Sequence, residues 1–478
     1  MGFVSRVSLV VPAAAVAAGL PYVVARAQGP AFEQRSQAPN IIVILADDQG
    51  YGDLGSYGHP TLRTPNIDRM AAEGQRWTSF YAAPVCTPSR AQLLTGRLAI
   101  RSGLASGVLF PDSTGGLQPS ETTIAETLKA RGYATAAVGK WHLGVPPEYL
   151  PTNQGFDSYF GIPYSNDMDQ PEVLPHRERL RRYRNPSIQD FNVPLMRDDR
   201  VVERPADQTT ITRRYTDEAI TFIKANRGRP FFLYLAHNLP HVPLFRSKEF
   251  EGASQRGLYG DAVEEIDANV GRVLSTLRDL GLDQQTLVVY LSDNGPWEPY
   301  EEQGGSAGPL RGAKGTTWEG GVRVPAIFRW PGTIRSGVVT GIGSVLDLLP
   351  TFAALARAPL PKNVLLDGHD LSPTLRTNAP SPRQAVMYYA GATLSGVRRG
   401  PYKAHFIVPG TPGGGPGNAA PAAPQLYNLD IDPGERFDIA DANPGVLSEL
   451  RQVADAHAAT VVPVKDQIAT RTAAPTPP

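Results

Sequence analysis

The chain carries short, continuous apolar runs rich in β-branched residues: Asn40 to Leu45, Ala134 to Val138, Phe231 to Leu235, Leu287 to Leu291 and Ala326 to Arg329. Runs of this kind are how strands covered on both faces read. Between them, Glu121 to Arg131, Thr209 to Ala225 and Asp261 to Leu280 carry helical patterns. Strands alternating with helices predict an α/β sheet, largely parallel. Such sheets collect ligands at the carboxyl ends of their strands, which draws attention to the polar residues directly after each run.

After about Leu375 the pattern changes to short alternating strands, at Ala385 to Tyr389, Tyr402 to Val408 and Gln425 to Leu429, followed by a helix from about Pro444 to Ala459. This predicts a small α+β companion with an antiparallel sheet. Pro409 to Pro424, rich in glycine and proline, predicts a mobile loop between two of its strands. The expected organisation is a signal peptide over 1–27 and a flexible segment over 28–39, then a catalytic domain over 40–375, an α+β subdomain over 376–470 and a disordered tail over 471–478.

Composition changes this picture in three places. Met1 to Arg6, the apolar run Val7 to Val24 and the small-residue site Ala25-Arg26-Ala27 have the order of a secretory signal, so export without a stable membrane anchor is expected. The 46 basic and 46 acidic residues become 44 and 46 once Arg6 and Arg26 leave with that segment, which gives no electrostatic case for nucleic acid or anionic lipid. A single cysteine permits no internal disulfide, and Asn185-Pro186-Ser187 has the proline that forbids N-glycosylation, so the expected compartment is a bacterial periplasm.

Candidate chemistry follows the predicted strands. Asp47 and Asp48 follow the first, and Asp293 and Asn294 follow another; oxygen-only clusters suit Ca²⁺ or Mg²⁺ better than zinc, although Asp and Asn also cap turns. In Pro84 to Arg97, Thr87 reads as a helix N-cap, Pro88 as the first helical residue and Gly96 as the stop. Cys86 then lies at a helix mouth that favours anions, with Arg90 on the same face; the alternative is a buried structural thiol. Lys140 and His142, two apart in an extended segment, point to one side as an anion clamp and proton carrier, or are a solvated lysine and a satisfied histidine. His241, at a strand end between prolines, is a candidate acid for a leaving group. Lys314 sits in a glycine-punctuated loop without the upstream glycine of a P-loop, which argues against nucleotide binding. Arg177 to Arg184 reads as a solvated basic face or as a recruiter of anionic substrates.

Cys86-Thr87-Pro88-Ser89-Arg90 with Leu94-Thr95-Gly96-Arg97 resembles the signature of the formylglycine-dependent type I sulfatases. The likeness runs from about Asn40 to about Glu435 and includes Gly139 to Gly144, Gly161 to Ser165, Gly315 to Gly321, Asp347 to Thr351 and Tyr402 to Phe406. It implies an alkaline-phosphatase-like large domain with a mostly parallel central sheet flanked by helices. It also implies a sulfuric ester hydrolase of the arylsulfatase type, acting on a small-molecule or glycan sulfate ester.

In that family a separate maturation enzyme oxidises the cysteine to an aldehyde, formylglycine, whose hydrate is the nucleophile. A serine would be left as a stable sulfate ester, whereas a geminal diol attacks with one hydroxyl and uses the other to expel sulfate. Carried over to this chain, Asp47, Asp48, Asp293 and Asn294 resemble the calcium ligands, with Mg²⁺ the other hard cation, and converted Cys86 touches the metal too. Arg90 would position the diol, Lys140 and Lys314 would neutralise the sulfate, and Ser165 would contact it. His142 matches the base for elimination; His241, with Lys314, would protonate the departing alcohol or phenol. Asn166 stands where a relative has histidine. The same scaffold leaves a phosphonate monoester or phosphate ester hydrolase as the alternative, and a non-catalytic sulfated-glycan binder as a third.

Overall fold

The computed structural model describes residues 1–3, 38–172, 174–362, 364–407 and 423–471. The expected signal peptide from residue 4, the segment 28–39 as far as residue 37, the expected loop as far as residue 422 and the tail from residue 472 lie outside the described residues. No described helix is long and apolar enough to cross a membrane.

Ten strands form the large sheet: β1 (Asn40–Ala46), β2 (Gln75–Tyr81), β3 (Ala134–Gly139), β4 (Ser158–Gly161), β5 (Leu195–Arg197), β6 (Arg200–Glu203), β7 (Phe231–Ala236), β8 (Thr286–Ser292), β9 (Arg323–Arg329) and β10 (Gly337–Ser344). Their spatial order is β10-β2-β9-β8-β1-β7-β3-β4-β5-β6. The centre, β8-β1-β7-β3-β4, is parallel throughout, and antiparallel pairs lie towards both edges. Strand β1 shows why the central runs are continuously apolar. Ile42 and Ile44 pack on one face with Tyr215, Ile266 and Val270 from the helices Ile211–Ala225 and Gly257–Asp279. Ile41, Val43 and Leu45 pack on the other with Leu94, Leu128 and Phe352. Both faces are dry, so alternation disappears.

Five of these strands, β1, β3, β7, β8 and β9, coincide with the continuous apolar runs. The apolar pattern does not mark β2, whose Gln75-Arg76-Trp77-Thr78-Ser79-Phe80-Tyr81 mixes polar and aromatic residues, or the short or exposed strands β4, β5, β6 and β10.

A second sheet, β11 (Ala385–Ala390), β12 (Thr393–Arg399), β13 (Tyr402–His405) and β14 (Gln425–Asn428), is antiparallel in chain order. The helix Pro444–Ala458 covers it through Leu450 and Ala454, which meet Val397, Ala404 and Leu426. Strand β12 was not expected, because Gly396 and two terminal arginines disguise it; β13 stops at His405, short of Val408.

The two sheets meet in a buried ionic cluster. Lys403 Nζ lies 2.9 Å from Glu319 and 3.0 Å from Glu435, and His405 Nε2 is 2.6 Å from Glu435. Tyr81 and Tyr388 donate their hydroxyls to Glu319, and the Glu319 amide donates to Glu435. Burial raises the Glu319 carboxyl, but Lys403, Arg323 and Arg398 outweigh it and hold the pKa at about 2.

Candidate active site

Parallel neighbours release their carboxyl ends on the same edge of a sheet. Here β1 leads into Asp47 and Asp48, β8 into Asp293 and Asn294, β3 into Lys140 and His142, and β7 into the turn that holds His241. The backbone ties these ends together: Asp293 N donates to Ala46 O at 3.1 Å, and Asp47 N to Leu239 O at 3.3 Å. Gly139 makes the exit of β3 possible. Its φ is +110°, and a Cβ there would lie 1.8 Å from Ala236 O, so any side chain would force β3 and β7 apart. Asp48 and His142 both adopt φ of 60°, in the left-handed region that costs most residues energy, and are held there by their surroundings.

Cys86 is 1% exposed and opens the helix Cys86–Thr95. Its Sγ lies 3.3 Å from Asp47 Oδ1 and 3.8 Å from Asp48 Oδ1, and Lys140 Nζ is 3.7 Å away. Lys140 also donates to Asp47 Oδ2 and, at 3.1 Å, to Ser165 Oγ. Arg90, with no exposure, donates from Nε and Nη2 to Asp293 Oδ2 at 3.1 and 2.8 Å and from Nη1 to Lys140 O at 2.7 Å. Lys314 Nζ donates to Asp48 Oδ2 at 2.7 Å. His241 Nε2 lies 3.5 Å from both Asp48 Oδ2 and Ser165 Oγ. Asp48 N donates to Asp293 Oδ1 at 3.1 Å, and Asn294 Nδ2 to Asp48 Oδ1 at 2.7 Å. Asp47, Asp48, Cys86, Arg90, Lys140, Ser165, His241, Asp293, Asn294 and Lys314 are thus joined in one hydrogen-bonded network, whereas His142, Asn166 and the run Arg177 to Arg184 lie outside it. His142 is attached through its backbone, whose carbonyl accepts from Thr87 Oγ1 at 2.9 Å.

Electrostatics follow from burial. Burial first, then Asp293 and Asp47, push the Cys86 thiol well above its ordinary value, so as a thiol it stays protonated and is a poor nucleophile. Burial followed by the nearby lysines pushes His142 and His241 well below the usual histidine value, so both rings are neutral. In His142, Nε2 sits 2.8 Å from Leu109 O and must carry the proton; Nδ1 is buried without a partner and keeps its lone pair. In His241, Nδ1 faces Val242 O, which leaves Nε2 unprotonated towards Asp48. Lys314 is desolvated, yet Asp48 beside it raises its pKa and keeps it cationic.

The buried donor set could hold a metal ion. Asp47, Asp48 and Cys86, with His241, place ligand atoms within 4.8 Å of one another. Asn294 Oδ1 is buried with no hydrogen-bond partner, the state expected of a carbonyl oxygen kept for a metal. Asp47, Asp48 and Asp293 are opposed by Arg90, Lys140 and Lys314, so the network is formally neutral. A divalent cation would make it positive by two charges, the sign that suits an anionic ester.

Two expectations are corrected. Thr87 is not the helix N-cap; the helix begins at Cys86 after Val85, because Thr87 Oγ1 is occupied between His142 O and Leu109 N. Gly96 does end the helix, at φ +65°. Lys140 and His142 do not share one side of an extended segment, since the left-handed backbone at His142 turns its ring to Leu109.

Trp297, which opens one of the loops that shape the pocket, also reaches the site through its side chain. Its ring lies 5.1 Å from that of His241, and Lys314 Nζ lies 4.1 Å from its centroid. The available signal was its position, three residues after Asn294. The basic run forms the helix His176–Tyr183, and Arg182 and Arg184 are paired with Glu172, Asp190, Glu301 and Glu302.

A family model for sulfatases matches residues 39–358, and one for the C-terminal region of aryl-sulfatase matches residues 381–478. Arylsulfatase A of Homo sapiens is 45% identical over 444 residues, covering 87% of this chain and 87% of that protein. N-acetylgalactosamine-6-sulfatase of Canis lupus familiaris is 40% identical over 475 residues, covering 90% and 88%. Among solved structures, the PsFucS1 sulfatase from Pseudoalteromonas sp. superposes with a TM-score of 0.80 at 32% identity, covering 91% of this chain and 92% of that one.

Proposed function

The chain belongs to the sulfatase family of sulfuric ester hydrolases, and on that premise we propose that its nucleophile derives from Cys86 and works on a Ca²⁺ held by Asp47, Asp48, Asp293 and Asn294. The observation that carries this reading is the convergence of acids, cations and histidines on one buried thiol that is itself too basic to attack. Converted to formylglycine by a maturation enzyme, Cys86 would supply a geminal diol, and the bound cation would acidify it and hold a sulfate oxygen.

The chain's own residues do the rest. Arg90, locked between Asp293 and Lys140 O, fixes the residue-86 end of the helix. Lys140 and Ser165 on one side and Lys314 on the other clamp the sulfate group, and being buried they need little reorganisation as charge moves. His142 takes a proton at Nδ1, the nitrogen left without a partner. His241 Nε2 and Lys314 face the departing oxygen together; Lys314, kept cationic by Asp48, holds the proton that is delivered, and His241 Nε2 orients the exchange. The substrate class is an aryl or carbohydrate sulfate ester. The signal-like segment over 1–27 and the single cysteine support export to a bacterial periplasm.

The test compares wild type with Cys86→Ala, both made where conversion occurs, by sulfate release from an aryl sulfate and by the mass of the tryptic peptide Trp77 to Arg90. The wild-type peptide should carry an aldehyde, and the variant should release no sulfate while melting normally. Full activity in Cys86→Ala would overturn the reading.

A further inference from the structure

The groups assigned to the departing oxygen, His241 and Lys314, share a third neighbour that the chemistry above does not use. Trp297 is half-buried, its ring 5.1 Å from the His241 ring at 48°, with Lys314 Nζ 4.1 Å from its centroid. We propose that the Trp297 indole is the binding platform for the leaving group, and that this leaving group is a ring with a flat apolar face. The proposal deepens the sulfatase reading and rests on it.

Three observations support it. The indole borders the side of the site where the alcohol or phenol must leave, because both flanking groups reach Asp48 Oδ2, at 3.5 Å from His241 and 2.7 Å from Lys314. Lys314 Nζ covers one face of the indole, and the part of the ring that stays exposed offers apolar area to the part of the substrate that carries no charge. The platform is also pre-formed. Trp297 N donates to Gly304 O at 2.8 Å, and Pro296 O accepts from Lys314 N at 2.9 Å. Tyr300 meets the indole edge-on at 4.7 Å and stacks on Tyr183 at 5.2 Å, which braces the loop against the helix His176–Tyr183. Arg184 adds ion pairs to Glu301 and Glu302. A braced platform loses little conformational freedom when it binds.

The experiment measures equilibrium binding of phenyl sulfate, glucose 6-sulfate and butyl sulfate to metal-loaded Cys86→Ala protein with Trp297, Trp297→Phe or Trp297→Ala, beside KM and kcat in the converted enzyme. Aromatic stacking of this kind is worth roughly 2- to 10-fold in affinity. The expected result is that Trp297→Ala loses that factor for ring sulfates relative to butyl sulfate, that Trp297→Phe restores it, and that KM moves more than kcat. Loss confined to phenyl sulfate assigns an aromatic leaving group, and loss extending to glucose 6-sulfate assigns a sugar face. An equal change for all three esters would show mere support of Lys314 and His241 and would overturn the proposal. Wild-type protein that releases sulfate from none of them would instead overturn the sulfatase reading beneath it.

Discussion

Lys403→Met tests whether the buried cluster between the sheets is integral to the fold. Lys403 touches two carboxylates, Glu319 and Glu435, and all three side chains have no solvent exposure. Methionine fills similar volume but leaves both carboxylates without that cation. Breaking a buried pair by removing one partner costs about 3–5 kcal/mol, because a desolvated charge remains. The entropy of unfolding is about 2.1 cal/mol/K per residue, so 478 residues give about 1 kcal/mol per kelvin. The variant should therefore melt about 3–5 °C below wild type at pH 7. The Glu319 carboxyl has a pKa of about 2 when folded against 4.5 as its ordinary value. A depressed folded pKa means stability present above 4.5 and lost as pH falls towards 2. Without Lys403 that carboxyl takes up a proton more readily, so the gap between variant and wild type should narrow on going from pH 7 to pH 4. Glu319→Gln combined with Lys403→Met should recover part of the loss. A shift below about 1 °C, or a gap indifferent to pH, would refute the reasoning.

His237, 1% exposed with both ring nitrogens lacking a partner, is pushed by burial to a pKa of about 4 from 6.5. Its stabilising contribution is present above 6.5 and is lost as pH falls through 6.5 towards 4, a drop of about 3 kcal/mol; His237→Phe should flatten the melting temperature over that range, and an unchanged acid slope would count against it. Lys314→Met should lower kcat for an aryl sulfate by about 10²–10³, since it removes one desolvated charge donor at the sulfate; steady-state kinetics showing less than a threefold change would contradict that role. Chelated protein should melt lower and recover with Ca²⁺, by about 2.7 kcal/mol at a hundred times Kd, and Asn294→Ala should require more Ca²⁺ for the same recovery. A melting temperature indifferent to Ca²⁺ and Mg²⁺ would remove the metal from the site.

Much of the architecture was legible locally. Ile41 to Leu45 reads as a strand because both of its faces are buried, and Asp47, Lys140, His241 and Asp293 stood out because they follow such strands. What local pattern cannot contain is which strands become neighbours. Asp48 and Asp293 are 245 positions apart, and they touch because β8 and β1 pair in register, from Asn40 opposite Thr286 to Ala46 opposite Ser292. Strands such as β2 and β12 were hidden because their polar residues are satisfied by distant partners, as Arg398 is by Tyr81. The left-handed turn at His142, the brace behind Trp297 and the Glu319 cluster belong to the same class. The periodicity of a chain records how often each residue is buried; hydrogen-bond partners and ring contacts are settled only when the sheet order brings remote segments within a few ångströms, and that order is a property of the whole fold.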